Sequence, residues 1–438
     1  MQRLRYVLAG VVAASLLSSC TGGSGHDDRT GETHKPPVGA GKTGSVPHGQ
    51  SAPHDRLSVP SVYDTSHGWE SDMMGTHLFL PHSKAVAVFQ PAANNGDFTV
   101  MDAATGATRW TRKVKGVGMM SALVTTEQGQ DYLVATSSGT TGEDAVKKGR
   151  DVTTLDIFSA KDADSGAVTL VHHLELPGEG TVTDGGGGLL VRFGDETIAT
   201  VDPATGATKS FDLTKMKPPA GECHLCFAST KALAVTSRGP LLATDEQPKA
   251  HYWVPGVWSG GALTTDSENK LFMTPVRTAL FALWHDDGAA RDTLAVLDPA
   301  TGKVRAKVDC TADAFQRNED AAKSASLSAN GRYLVQDDAA FDLEKGTGRC
   351  FGDTAQTKAV DFDGVTDDGT AFGSTRPVDG SEERSPVVVD IATGKVRADR
   401  YEVTPFSDFA GYGLFLYNAD DADKDLDHYK VVAYRHAR

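Results

Sequence analysis

Short apolar stretches separated by turn-forming residues recur along the chain from Leu57 onward. Many alternate between apolar and polar positions, which is typical of strands with one buried face. Ser326–Leu334 and Val365–Thr370 place Asn-Gly or Asp-Gly between two stretches and therefore predict hairpins. The pattern predicts an all-β domain over residues 57–438. The expected strands include Ala85–Phe89, Tyr132–Ala135, Gly188–Val191, Ala232–Val235, Lys270–Met273, Arg332–Val335 and Gly413–Leu416.

A five-residue pattern, Asp-x-x-Thr-Gly, follows four of the apolar strands. An aspartate at this place caps a turn by accepting backbone N–H groups, and the threonine hydroxyl can add a bond. The glycine can take a positive φ without steric cost. Each copy therefore predicts a hairpin turn followed by an antiparallel strand. The copies are Asp102, Thr105 and Gly106; Asp202, Thr205 and Gly206; Asp298, Thr301 and Gly302; and Asp390, Thr393 and Gly394.

The spacing of the copies indicates a repeat architecture. The four aspartates are separated by 100, 96 and 92 residues, so half of each gap is 46 to 50 residues. Degenerate copies are expected between them. Eight units of about four strands predict a β-propeller with eight blades, with seven as the alternative. The degenerate positions are Asp162–Gly166, the lead-in strand Leu241–Asp245, Asp342–Gly348 with a two-residue insertion, and the last strand Val431–Tyr434.

Closure of such a ring needs a strand from the start of the domain. Leu57–Tyr63 is strand-like and precedes the first unit, whereas few residues follow Val431–Tyr434. Pro60 suits an outer edge because proline cannot donate to a strand ladder. We therefore expect Leu57–Tyr63 to be the outer strand of the last blade.

Two segments resemble known propeller repeats. Asp102–Trp110 reads Asp-x-x-Thr-Gly-x-x-x-Trp and resembles the repeat of quinoprotein-like (PQQ-like) propellers, and Ser326–Leu334 is similar to WD40-like and TolB-like blades. The resemblance covers nearly all of residues 57–438 and implies the architecture rather than an activity. Quinoprotein dehydrogenases as a family hold their cofactor beside a Cys-Cys bridge, and no such dipeptide occurs here, so the expectation is no bound PQQ. The other three copies have Phe211, Ala306 and Ala398 at or near the tryptophan position.

The N-terminus predicts export and lipidation. Arg3 and Arg5 precede the uncharged apolar run Val7–Leu17, which is too short to span a bilayer as a helix. This is typical of a signal peptide, expected over residues 1–19. The run ends in Leu-Ser-Ser-Cys, which resembles the bacterial lipobox and would make Cys20 the lipidated residue. An ordinary secretory signal with a chance cysteine is the alternative.

Residues 20–56 are expected to form a disordered tether. Gly, Ser, Pro, Thr and charged residues dominate them, and apolar residues are almost absent. Such a segment cannot bury enough surface to offset its ordering entropy.

The overall charge limits the partners. The chain carries a net charge of −15, and its pI is about 5.4. An acidic surface repels phosphate backbones and anionic lipid, so we expect no nucleic-acid binding and a covalent membrane link.

Four cysteines remain after Cys20 is assigned to lipid, and three pairings are possible. Cys223 and Cys226 are close enough for a local bridge. Cys310 and Cys350 follow two neighbouring motif aspartates and would join adjacent blades, so this pair of bridges is the favoured pairing. Redox and zinc roles for the Cys-x-x-Cys remain alternatives, whereas Phe227 excludes a c-type haem site because that site needs histidine there.

Three further features bear on the chemistry of the chain. The alternating carboxylates Asp421, Asp423 and Asp425 are a candidate calcium site, with a solvated acidic hairpin as the alternative. Gly185–Gly188 lacks the lysine of a phosphate loop and is expected to be a flexible turn. Trp253, Trp258 and Trp284 either line the mouth of the propeller or pack between its blades, and the second role is favoured.

The function expected from these observations is a non-enzymatic binding or scaffold module, monomeric and lipid-anchored outside the cytoplasm. Its partner would be an envelope protein, a peptide or a glycan. The alternative is an enzyme that uses the central channel, either a quinone-dependent oxidoreductase or a hydrolase or lyase.

Overall fold

The computed structural model describes residues 57–71, 75–160, 169–219, 230–244, 250–260, 270–285, 291–311, 325–377, 384–418 and 429–437. Regular structure in these ranges is β-strand, apart from one 3-10 turn at Leu213–Lys215. They hold no helix of the length and apolarity that crossing a bilayer would take. Several predicted features lie outside the described residues: the signal peptide, Cys20, the tether, Asp162–Gly166, Cys223, Cys226, Asp421, Asp423 and Asp425.

The described residues form an all-β fold of thirty strands in six sheets. The strands are β1 (Tyr63–Ser71), β2 (Thr76–Leu80), β3 (Ala85–Asp102), β4 (Thr108–Glu127), β5 (Gln130–Thr141), β6 (Arg150–Ser159), β7 (Thr169–Pro177), β8 (Thr181–Asp184), β9 (Leu189–Phe193), β10 (Thr197–Val201), β11 (Thr208–Asp212), β12 (Thr230–Thr236), β13 (Gly239–Thr244), β14 (Tyr252–Val254), β15 (Trp258–Ser259), β16 (Lys270–Val276), β17 (Ala279–His285), β18 (Arg291–Leu297), β19 (Val304–Thr311), β20 (Ser326–Leu327), β21 (Tyr333–Gln336), β22 (Ala339–Asp342), β23 (Thr347–Cys350), β24 (Val360–Val365), β25 (Thr370–Thr375), β26 (Pro386–Asp390), β27 (Lys395–Ala398), β28 (Ser407–Phe409), β29 (Tyr412–Asn418) and β30 (Tyr429–His436).

Four sheets contain four antiparallel strands each, and the two larger sheets divide into units of the same kind. The eight-stranded sheet consists of β16–β19 and β20–β23, which are joined by one parallel pairing between Lys307 and Thr347. In the six-stranded sheet, β4 pairs with β3 through its first half and with β5 through its second half. Strand β4 therefore leaves one unit and directly begins the next.

Strand β3 folds back on itself. Phe89 and Phe98 would lie roughly 30 Å apart in a straight strand, yet their ring centroids are 4.7 Å apart. Asn94 between them has a φ of +59°, and the N–H of Ala103 donates to the carbonyl of Lys84 at 3.0 Å. The two halves of β3 therefore act as two neighbouring strands of one unit.

These units, called meanders here, number eight among the described residues and follow one another along the chain. In chain order, meander 1 is β2, both halves of β3 and the first half of β4; meander 2 is the second half of β4 with β5–β7; meander 3 is β8–β11; meander 4 is β12–β15; meander 5 is β16–β19; meander 6 is β20–β23; meander 7 is β24–β27; and meander 8 is β28–β30 with β1.

Buried apolar clusters join each meander to the next. Phe158 of meander 2 packs with Phe98 of meander 1, for example, and Trp253 of meander 4 packs with Leu190 of meander 3. The last cluster places Val431 and Ala433 of meander 8 against Val86 and Val88 of meander 1. The chain of contacts thus returns to its start, which is the arrangement of sheets found in a β-propeller.

The N-terminal strand closes meander 8, six residues later than expected. Strand β1 begins at Tyr63 and pairs antiparallel with β30, so the prediction of a strand over Leu57–Tyr63 is wrong. Leu57 and Val59 instead pack as single buried side chains in the apolar cluster that contains Tyr434. The N–H of Leu57 donates to the Tyr434 hydroxyl at 3.1 Å. Pro60 interrupts the N–H ladder before Tyr63, so regular pairing begins only after it.

Two predicted repeat positions also need correction. Leu241 lies in β13, the second strand of its meander, and the corresponding turn comes later, at Gly256 between β14 and β15. The Asp342 turn has no insertion, because Gly346, four residues after the aspartate, takes the positive φ (+68°). Gly348 belongs to β23 instead.

Candidate functional site

The four Asp-x-x-Thr-Gly copies lie at the turns between the last two strands of meanders 1, 3, 5 and 7. The Asp102 carboxylate accepts the N–H groups of Ala104 (3.0 Å) and Thr105 (2.9 Å), and Gly106 has a φ of +68°. In the other copies, too, the aspartate accepts the threonine N–H, and the glycine φ is positive. These groups are satisfied within the turn.

A side chain from the preceding meander covers each of these turns. The indole N–H of Trp69 donates to the carbonyl of Ala103 at 2.9 Å, and a Cβ on Gly106 would lie 2.7 Å from the Trp69 ring. The glycine is therefore needed for this close approach. The equivalent pairs are His172 with the Ala204 carbonyl (3.0 Å), Trp258 with that of Pro299 (3.0 Å) and Arg349 with that of Ala392 (3.2 Å).

The strict motif and its covering side chains alternate from one meander to the next. The covering side chains come from β1, β7, β15 and β23, the outer strands of meanders 8, 2, 4 and 6. The sequence repeat is therefore a pair of meanders, one with the turn and one with its cover. The motif residues hold meanders together at the rim, and Trp258 packs between meanders, as favoured from the sequence.

The described disulfide also lies at the rim. Cys310 of β19 and Cys350 of β23 are bonded, with 5.7 Å between their Cα atoms. The bond joins meanders 5 and 6 beside the Lys307–Thr347 pairing. It is the bridge between neighbouring units that the sequence spacing favoured.

A cavity of about 460 Å³ lies where the first strands of seven meanders meet. This size is within the range of small-molecule sites. Its wall combines apolar side chains with several carboxylates and one arginine, Arg277. The lining comes from β2, the second half of β4, β8, β16, β20, β24 and β28, and includes His77, Phe79, Thr126, Asp184, Asp363, Phe406 and Asp408.

The glycine turn Gly185–Gly188 directly follows Asp184, which lines one end of this central cavity. Gly186 has a φ of +82°, and a Cβ there would lie 2.0 Å from the Arg277 carbonyl oxygen. The N–H of Val235 in β12 donates to the Gly185 carbonyl at 2.8 Å. The Gly185–Gly188 turn is therefore packed against two other meanders rather than free, because glycine alone permits so close a backbone approach.

Asp184 lies at the glycine-turn end. Its carboxylate accepts the Thr125 hydroxyl (2.8 Å) and the Gly186 N–H (3.0 Å). Surrounding protein nevertheless raises its pKa, because desolvation outweighs these bonds and the charge of Arg277. The side chain stays accessible from the cavity, so the shift reflects confinement rather than complete loss of water.

A carboxylate and two aromatic rings form another part of the wall. The rings of Phe79 and Phe406 are 5.2 Å apart, and Phe406 is 66% exposed. A Cβ on Gly364, the neighbour of Asp363, would lie 4.0 Å from the Pro405 carbonyl oxygen, so β24 passes close to the segment that carries Phe406. Desolvation raises the pKa of Asp363, and its carboxylate is reached by no hydrogen bond from the described residues.

The third cavity carboxylate, Asp408, binds the two ends of the domain. It accepts the Tyr63 hydroxyl of β1 at 2.7 Å and lies 2.7 Å from Nε2 of His436 in β30. The hydrogen bond to Asp408 raises the pKa of His436 against the opposing effect of burial. Asp367 and Asp368 add negative charge near the same ring and also favour the imidazolium.

This contact predicts a pH-dependent stability. A raised folded-state pKa stabilises the fold fully below the unfolded pKa of histidine, about 6.5, and the contribution is lost as pH rises through the folded value. We expect the melting temperature of the full chain to fall by a few degrees more between pH 6 and pH 9 than that of His436→Gln. If the melting temperatures of the two proteins change equally between pH 6 and pH 9, the His436–Asp408 contact does not contribute this pH dependence.

A second cavity of about 280 Å³ lies beyond the glycine turn, between Glu127, Thr236, Thr278 and Asp298. Burial raises the pKa of Glu127, and the negative charge of Asp202 adds to the rise. Thr126 lines both this cavity and the central one, whereas Gly186 and Gly187 line only this one.

The cavity residues could not be found from the sequence. Asp184, Arg277, Asp363 and Asp408 come from four different meanders and share no motif. The one signal in the sequence is that each of these residues lies in or next to the first strand of its unit, and first strands converge in a propeller. This signal can be used only after every strand has been assigned to its unit.

Among known proteins, similarity to this chain is found only with solved structures. No family model and no curated protein matches the chain. It is similar to dihydro-heme d1 dehydrogenase NirN (11% identity, 75% of this chain, 66% of that one, TM-score 0.35) and to the Pyrococcus horikoshii acylaminoacyl peptidase (12%, 80% and 49%, 0.35). It is also similar to the β-propeller domain of the Trilobed protease from Pyrococcus furiosus (9%, 84% and 93%, 0.35). The chain thus spans about two thirds of NirN and half of the peptidase. Likeness at these scores carries no inference about this chain, whose propeller arrangement rests on its own strand pairing.

Proposed function

We propose that this protein is a lipid-anchored, extracytoplasmic binding module whose eight-bladed propeller receives a ligand in its central cavity. The observation that carries the binding role is the cavity itself, where residues from seven first strands meet around a space of small-molecule size. The eight meanders and their closed series of buried clusters support eight blades. An experimental projection along the ring axis would count them.

A binding role fits the bonding of the cavity carboxylates better than catalysis does. Asp184 is held by a threonine hydroxyl and a backbone N–H, and Asp408 is tied to Tyr63 and His436 across the closing strands. These contacts orient the carboxylates and stabilise the ring. A general base, by contrast, needs a carboxylate that can accept a proton from the substrate, whereas Asp184 and Asp408 are already engaged in bonds within the protein.

The anchoring part of the proposal rests on the lipobox-like Leu17–Cys20 and the polar segment that follows it. The full chain is expected in the membrane fraction, with a diacylglycerol-modified cysteine at the mature N-terminus. Cys20→Ser is expected to leave that fraction. An unmodified Cys20, or an unchanged distribution of the variant, would contradict the anchor.

The binding part can be tested with p-azidophenylalanine, a photo-crosslinking residue that keeps the phenyl ring, at position 406, inside the cavity, and at position 195, in an exposed turn. In intact cells, one defined adduct is expected at position 406 and none at position 195. Equal labelling at both positions, or no adduct at position 406, would contradict a ligand in the cavity.

A further inference from the structure

We infer that the central cavity recognises an alkylammonium group, held by the Asp363 carboxylate beside the Phe79–Phe406 aromatic pair. The inference rests on the proposed binding function and names the chemical class of its ligand. An alkylammonium group can come from a free polyamine or from a lysine side chain of a peptide, and the two sources are separated in the experiment below.

The aromatic pair is the first observation. Phe406 is 66% exposed although it lies within the cavity wall, and its one described ring neighbour is Phe79, at 5.2 Å. Because most of the Phe406 side chain is exposed inside the cavity, one face of its ring can contact a ligand. The face of an aromatic ring attracts cations within about 6 Å of its centroid, and the effect strengthens when the cation is desolvated.

The second observation is the unpaired charge of Asp363. Its neighbour Asp361 binds both nearby arginines, Arg376 through Nε (2.6 Å) and Arg384 through Nη1 (3.0 Å). Asp363 feels the charge of Arg384 at longer range but accepts no hydrogen bond from the described residues. Asp363 lines the cavity, and no described residue occupies its acceptor sites, so an ammonium group there could donate to them.

The rest of the cavity does not cancel this charge. Arg277 donates to the Ser328 carbonyl (3.4 Å) and is attracted electrostatically to Asp184 and Asp367. The positive charge of Arg277 is therefore offset by the carboxylates of Asp184 and Asp367. Among the described residues, the titratable or charged groups that line the cavity are His77, Asp184, Arg277, Asp363 and Asp408. Carboxylates outnumber cations in this set at neutral pH, so the cavity favours a positively charged ligand.

The experiment is calorimetric titration of the full chain, purified in detergent, with four probes. These are 1,5-diaminopentane, the peptide Gly-Lys-Gly with its N-terminus acetylated and its C-terminus amidated, 1,5-pentanediol and glutarate. At least one amine is expected to bind, whereas the diol and the dianion are not. Tighter binding of the diamine would indicate a free polyamine, and tighter binding of the peptide would indicate a lysine side chain.

The variants test the two recognition elements separately. Asp363→Asn is expected to weaken amine binding at least tenfold, and Phe406→Ala several-fold. Asp195→Asn is the matched control, because it removes the same charge from an exposed turn, and it is expected to change affinity less than twofold. Wild-type affinity should also fall as pH is lowered toward the raised pKa of Asp363, and this dependence should shrink in Asp363→Asn.

Binding of the diol or glutarate as strongly as the amines would overturn the inference. So would an unchanged affinity in Asp363→Asn, or the absence of amine binding. Suppose that one of these results is obtained but the adduct at position 406 still forms. The ligand class is then wrong, while the binding function stands. If that adduct is also missing, the proposed function itself fails.

Discussion

Trp69→Ala is expected to lower the free energy of unfolding by about 3–5 kcal/mol, the usual cost of removing a buried aromatic side chain. Trp69 is 6% exposed, and its ring covers the Gly106 turn. The ring joins the outer strand of meander 8 to meander 1, so its loss opens a cavity where the two ends of the domain meet. Denaturant unfolding of the full chain, followed by circular dichroism, measures the change.

Trp69→Phe is the matched control for this prediction. Phenylalanine keeps most of the buried ring but cannot donate to the Ala103 carbonyl, so we expect a loss of about 1–2 kcal/mol from the missing hydrogen bond. Equal losses in the two variants would show that packing over Gly106 contributes little. A loss below about 1 kcal/mol in Trp69→Ala would contradict the proposed role of the covering side chains.

Cys350→Ser is expected to destabilise the full chain by about 2–5 kcal/mol under oxidising conditions. The bond closes a segment of 40 residues, and opening it restores conformational freedom to the unfolded chain. Position 350 is the better site for the substitution because Cys350 is exposed, whereas Cys310 is 2% exposed. A serine at position 310 would add the cost of burying a hydroxyl group.

A reducing agent provides the control for the disulfide. The stability difference between wild type and Cys350→Ser should disappear in dithiothreitol, since both proteins then lack the bond. Any other redox-sensitive pair affects both proteins equally and cancels. A difference that persists under reduction would mean that the substitution acts through packing, and no difference under oxidising conditions would contradict the stabilising role of the bond.

The sequence alone determined the all-β class of the fold, the four Asp-x-x-Thr-Gly turns and many of the strands, but not the start of β1 or the form of the Asp342 turn. These features are local: an alternating apolar stretch, an aspartate two or three residues before the N–H groups that it caps, and a glycine at a positive φ act within a few residues. The doubled period of the Asp-x-x-Thr-Gly motif was also visible in the spacing. The side chains that cover these turns were not visible, because Trp69, His172, Trp258 and Arg349 differ in type and reach the turns from another meander.

The tertiary structure decided which residues face the centre. Asp184, Asp363 and Asp408 are separated by more than forty residues from one another in the sequence and meet because the first strands of their meanders converge. The packing of the glycine turn against Val235 and Arg277, and the start of β1 at Tyr63, likewise depend on neighbours brought together by ring closure. Local patterns report what a residue does within its own strand or turn, whereas a cavity between strands is defined by contacts that exist only after the ring has closed.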